Sequence, residues 1–118
     1  MNEFGQYVRQ RRLELQASKK HGFSLRQVAA AMEVQPSYLS KVERGDSGPP
    51  SEETTKTLAA ILGEDPDVLL ALAGKVSKDL REAIMKRPKL FAELIRQVKD
   101  APDQAVLRVV REVRDGNW

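Results

Sequence analysis

The sequence predicts an all-α protein with five N-terminal helices followed by three more. Three observations carry this expectation. Apolar residues recur with a helical period and never in a sustained alternation of two. Prolines and glycines stand at the ends of these periodic runs, where proline suits the first helical position and glycine the left-handed residue past the last. Hydrophobic residues make up 41% of the chain and aromatic ones 5%, a composition that suits a thin aliphatic core between helices better than a β-sandwich.

Helix one is expected at about residues 2–16, with Phe4, Val8 and Leu15 on one face. A loop over 16–22 carries Lys19, Lys20 and His21. Ser24 is a good N-cap for helix two, in which Leu25, Val28, Ala29 and Met32 fall at i, i+3, i+4 and i+7. Helix three runs from Pro36 to about Arg44 and buries Leu39 and Val42. Ser51 caps helix four, whose first turn holds Glu52 and Glu53 where the helix dipole favours negative charge, and Leu58, Ile61 and Leu62 point inward. Asp65 and Pro66 open helix five, which stops at Gly74.

Three further helices are expected at 77–87, 88–99 and 102–115. Pro36, Pro66, Pro88 and Pro102 read as helix starts, and Gly45, Gly63, Gly74 and Gly116 as left-handed stops. The chain therefore divides into 1–74 and a helical segment at 75–118. The latter is close to the size below which an isolated chain rarely folds alone, about 40 residues. Its large aliphatics need a partner surface, and the face made by Phe91, Leu94, Ile95, Val98, Val106, Val109, Val110 and Val113 is expected to bind a second copy or another protein.

Several function classes lose support at once. The chain has no cysteine and one histidine, His21, which removes disulfides, thiol nucleophiles and the two-histidine metal motifs. A Ser–Lys pair is the remaining nucleophile–base option, and no arrangement supports it. The expectation is no enzyme, no cofactor and no metal site. The start MNEFGQYVRQRR lacks an apolar leader core, and no stretch approaches the roughly 20 apolar residues of a membrane helix, so a cytoplasmic, non-membrane protein is expected.

The informative stretch is SLRQVAAAMEVQPSYLSKVERG, residues 24–45. It is two short helices around a tight turn, the helix-turn-helix outline. Opposite Leu39 and Val42, helix three presents Pro36, Ser37, Ser40, Lys41 and Arg44, a polar stripe with cations and no carboxylate. Lys or Arg can donate to guanine O6 and N7, Ser can donate or accept, and Gln35 at the helix start can pair with adenine. Ser24, Arg26 and Gln27 open helix two, where free N–H groups and the dipole suit a DNA phosphate. Tyr38 either bonds a phosphate or packs at the helix edge. Lys19, Lys20 and Arg44 are further backbone candidates.

With VRQRR in helix one, LRQVAAAM, VQPSYLSKVERG, PPS and LAAILG, residues 4–63 resemble the lambda-repressor-like, or XRE, helix-turn-helix regulators of bacteria and phages. The resemblance implies a five-helix DNA-binding domain, usually dimeric, whose third helix reads operator bases. It implies that Arg12 pairs with Glu43 at the end of that helix, and that Gln35, Pro36, Ser37 and Lys41 face the bases. Three departures stand out. Glu33 replaces the usual glycine of a left-handed turn, at a cost on the order of 1 kcal/mol, so an adjusted turn is expected. The 16–22 loop is longer than the family's minimal pattern. Thr55, Lys56 and Thr57 replace part of the apolar run of helix four, which predicts altered packing there.

One helix reading three or four base pairs at about 1 to 3 kcal/mol each barely reaches the roughly 4 to 10 kcal/mol that separates specific from nonspecific binding. The reading is therefore a homodimeric transcriptional repressor on an inverted-repeat double-stranded DNA operator. The alternatives are an antitoxin-like regulator whose C-terminal helices bind a toxin, or a protein-interaction adaptor without DNA binding. The net charge of +3 resolves by segment into +3 over 1–50, −3 over 51–76 and +3 over 77–118, a basic reading half ahead of an acidic middle.

Overall fold

The computed structural model describes residues 3–19 and 21–118, and among them every regular element is an α-helix. The order is α1 (Glu3–Ser18), α2 (Leu25–Met32), α3 (Pro36–Arg44), α4 (Glu52–Leu62), α5 (Pro66–Leu72), α6 (Lys78–Lys86), α7 (Pro88–Val98) and α8 (Asp103–Asp115). None is long and apolar enough to cross a membrane. Backbone packing separates two units, with the boundary after Ser77.

In the first unit one core gathers the inward residues of α1 to α5. Phe4, Val8 and Leu15 meet Val28, Ala29 and Met32, then Leu39 and Val42, Leu58, Ala59 and Leu62, and Leu69. Local chemistry starts and stops each helix. Ser51 Oγ accepts the Thr54 N–H at 3.2 Å to open α4, and Asp65 Oδ1 accepts the Asp67 N–H at 2.8 Å to open α5. Gly45 and Gly63 end α3 and α4 at φ 83° and 69°, where a Cβ would be strained.

The three departures from the family pattern resolve as follows. Glu33 itself adopts φ 62°, ψ 39°, so the turn between α2 and α3 keeps its left-handed form rather than adjusting. Two bonds hold it: Glu33 N–H donates to Ala30 O at 3.0 Å and Val34 N–H to Ala29 O at 2.9 Å, while the Glu33 side chain points to solvent. The loop after α1 is shorter than expected, because Gln16, Ala17 and Ser18 continue the helix. Thr55 is fully buried in α4, and its hydroxyl donates to Pro50 O at 3.4 Å, while Lys56 pairs at the surface with Glu52 at 3.3 Å.

In the second unit α6 packs against α7, and no residue of α6, α7 or α8 is buried. Two expectations fail here. Gly116 is extended, at φ −69° and ψ 160°, rather than left-handed. The end of α8 is satisfied differently, by the Trp118 indole N–H donating to Val113 O at 3.2 Å. Pro102 precedes α8 as its cap residue instead of opening it as the first helical residue.

Candidate nucleic-acid interface

Helix α3 has two faces of opposite character. Leu39, Val42 and Glu43 are buried, and Ser37, Lys41 and Arg44 are exposed, with Pro36, Tyr38 and Ser40 half-buried between them. The buried side holds the helix at a set rotation. Arg12 of α1 donates from Nε to Glu43 Oε2 at 2.7 Å and from Nη2 to Oε1 at 2.9 Å, a two-point bond between nearly inaccessible side chains. Arg12 Nη1 also donates to Phe23 O at 3.4 Å, so one guanidinium ties α1 to α3 and to the segment that leads into α2.

On the outer side the groups differ in commitment. The Lys41 ammonium has no partner among the described residues. Gln35, exposed at the cap position, makes no side-chain capping bond, which leaves its amide available. Arg44 is engaged: Nη1 donates to Ser40 Oγ at 2.8 Å, and Nε donates to Asp46 Oδ2 at 3.0 Å. Tyr38 is half-buried and packs against the core cluster. An uncommitted ammonium and a hydroxyl on one helix face, with a free amide at the helix start, can make directional contacts with base edges.

The start of α2 is built as a capping box. Ser24 Oγ accepts the Gln27 N–H at 3.1 Å, and Gln27 Oε1 accepts the N–H of Ser24 at 3.2 Å and of Gly22 at 3.0 Å. The carbonyl side of Gln27 is thereby spent inside the protein. The donors left at this terminus are the N–H groups of Leu25 and Arg26, the Gln27 amide nitrogen and the exposed Arg26 guanidinium, all suited to an anion. Gln27 is thus a capping residue as well as a candidate contact, and the Ser-x-x-Gln spacing of residues 24–27 is the sequence signal for the box. Lys19 is exposed beyond the end of α1, and Lys20 lies outside the described residues.

The structure thus places Ser37 and Lys41 on one exposed face of α3, with Gln35 exposed at the cap position ahead of it, and joins Arg44 to Ser40 toward the far end. A helix-turn-helix domain family model matches residues 3–72, which takes in α1 to α5. The chain belongs to the XRE-like helix-turn-helix family. This XRE-like chain is also 34% identical over 86 residues to an uncharacterised HTH-type transcriptional regulator, RghRB, of Bacillus subtilis (strain 168), a match that covers 70% of the chain and 58% of the relative. The XRE-like chain therefore spans little more than half of that protein's length. No solved structure matches it significantly. Helices α6 to α8 fall outside the matched domain, and they carry the second set of candidate residues. There Leu94, Ile95, Val110 and Val113 are exposed, while Phe91, Val98, Val106 and Val109 are half-buried.

Proposed function

We propose that this protein is a sequence-specific DNA-binding transcriptional regulator, a repressor that occupies an inverted-repeat operator as a homodimer. The observation that carries the reading is the exposed side of α3, where the Lys41 ammonium, and at the cap position the Gln35 amide, have no bonding role among the described residues although the opposite side of the same helix is fixed by Arg12 and Glu43. Groups left uncommitted on a rigid element are what base readout requires, because a contact that needs no rearrangement costs little ordering entropy. Gln35, Pro36, Ser37 and Lys41 are assigned to the bases. The first turn of α2, with Ser24, Arg26 and Gln27, is assigned to a phosphate, together with Tyr38, Arg44, Lys19 and Lys20. The similarity to the Bacillus relative, a transcriptional regulator by name, favours the same class.

Residues 1–74 act in this reading as the DNA-binding domain and 75–118 as the dimerisation segment. What supports the second assignment is that α6, α7 and α8 bury no residue by themselves while exposing Leu94, Ile95, Val110 and Val113. A second copy covers that face and sets two recognition helices about one turn of DNA apart, near 34 Å. Bound over a promoter, such a dimer blocks polymerase.

Selection from a random duplex library with the full chain tests this directly. An enriched inverted repeat with half-sites spaced by one helical turn is the expected result, with log K falling linearly as log salt rises. Recovery of no enriched site would transfer the reading to a protein-interaction adaptor. A single unrepeated half-site would remove the symmetric dimer.

A further inference from the structure

We propose that Gln6 and Arg9 of α1, with Ser40 and Arg44 of α3, form a second phosphate-binding groove that extends the DNA interface from the recognition helix onto helix α1. The proposal rests on the DNA-binding reading above and adds to it a contact surface on an element outside the helix-turn-helix.

The groove has a volume of about 490 Å³. Gln6 and Arg9, three residues apart and so on one side of α1, make one wall, and Ser40 and Arg44 make the other. Leu25, the first residue of α2, also lines the groove, and the buried Arg12–Glu43 pair lies beneath it. The charge balance decides what the groove can hold. Glu43 is matched by Arg12 at 2.7 Å, so the floor is neutral as a pair. Arg44 is partly offset by Asp46 at 3.0 Å. Arg9 is exposed and has no ion-pair or hydrogen-bond partner among the described residues, so the groove carries an uncompensated cation. The positive end of α2 adds to the same field through the free Leu25 N–H.

Continuity selects the ligand. Ser40 and Arg44 belong to the same stripe of α3 as Ser37 and Lys41, one and two turns along. A duplex whose base edges meet Ser37 and Lys41 has its backbone beside the far end of this stripe, where the groove opens. A DNA phosphate accepts from Arg9 and from the Gln6 amide, and Arg44 is held in place by Ser40 to complete the cradle. This contact positions the protein without reading sequence.

The test uses the full chain, a duplex recovered by the selection and a scrambled duplex of equal length, with binding followed by fluorescence anisotropy across a salt series. Arg9→Ala should weaken both duplexes by the same factor, on the order of tenfold, and reduce the slope of log K against log salt by about 0.9 per bound protomer. Arg9→Lys should keep the slope. Because Arg9 makes no internal bond, Arg9→Ala should melt with the wild type, which separates a binding effect from a folding one. Unchanged affinity and slope in Arg9→Ala, while the wild type binds, overturns the groove and leaves the DNA reading intact. A loss confined to the selected duplex overturns the backbone assignment. Failure of the wild type to bind any duplex at low salt overturns the parent reading and the groove together.

Discussion

Arg12 and Glu43, 31 residues apart in the chain, meet as a buried two-point ion pair that sets helix α3 on helix α1. Each charge is out of water, so each depends on the other. Removing one partner leaves an uncompensated buried charge, whereas replacing both by apolar residues of similar size removes the need for pairing. Arg12→Ala should therefore destabilise the fold by about 3 to 5 kcal/mol, and Arg12→Met combined with Glu43→Leu by much less. Urea unfolding of the two variants reads this out. A single substitution that costs under about 1 kcal/mol would mean that the carboxylate finds water or another donor.

The turn ahead of the recognition helix makes an independent prediction. Glu33 is the one non-glycine residue with positive φ among the described residues. Its side chain is exposed and makes no bond within the described chain. Glu33→Gly should raise stability by about 1 kcal/mol, seen as a higher melting temperature, because glycine adopts this backbone without the Cβ clash. A lower melting temperature would show that the glutamate contributes something the turn geometry does not express.

Lys41 and Arg26 should separate reading from positioning. Lys41→Ala is expected to relax preference at one base position, at a cost of about 1 to 3 kcal/mol on the best site, while Arg26→Ala should weaken all sequences evenly and lower the salt slope. Repeating the selection with each variant distinguishes them. Identical specificity profiles for Lys41→Ala and the wild type would remove Lys41 from the reading set.

The apolar side of α7 and α8 is tested by charge. Ile95 is exposed in the single chain. If a second copy covers it, Ile95→Asp places a carboxylate in that interface, and sedimentation at micromolar concentration should move from dimer to monomer mass. Operator affinity should fall in parallel. A wild-type chain that sediments as a monomer at the same concentration counts against the dimer.

The junction of α1 with the end of α4 predicts a titration. The Tyr7 phenol is bonded to the Glu64 carboxylate, and that bond, with burial and the nearby negative charge, raises its pKa above the ordinary value of 10.0. Arg11 braces the same carboxylate at 3.2 Å and donates to Leu62 O at 3.2 Å. The sign follows from the direction of the shift. The stabilisation is complete below the unfolded phenol's pKa and is lost as pH rises through the higher folded value. Ring-carbon NMR shifts should place the Tyr7 midpoint above that of a free phenol, and Glu64→Gln should bring it down. A Tyr7 midpoint unmoved by Glu64→Gln would remove the bond as its cause.

Much of the interface was legible because it is local. The three-residue spacing of Leu39 and Val42 decides which side of α3 is buried, and therefore that Ser37 and Lys41 are not, since helical periodicity depends only on neighbours along the chain. The Ser24 cap is equally local, and so is the Gln27 half of its box. Other features lie beyond local reading. That α1 continues to Ser18 reflects a boundary where helix and loop differ by little energy. The Trp118 indole at Val113 O replaces a glycine stop through a side chain with several rotamers. The commitment of Arg44 to Asp46 depends on the path of the chain past Gly45.

Gln6 and Arg9 mark the limit most clearly. In the sequence they are polar residues on the outer side of an N-terminal helix, with nothing to join them to α3. The sequence by itself determined the order of the helices, the Ser24, Ser51 and Asp65 caps and the inward faces of α1 to α5, because propensity, capping and periodicity act over one or two turns. Only the tertiary structure decided that Gln6 and Arg9 stand across a groove from Ser40 and Arg44. That juxtaposition depends on how α1 crosses α3, and the crossing is set by core packing and by the buried Arg12–Glu43 bond between distant parts of the chain.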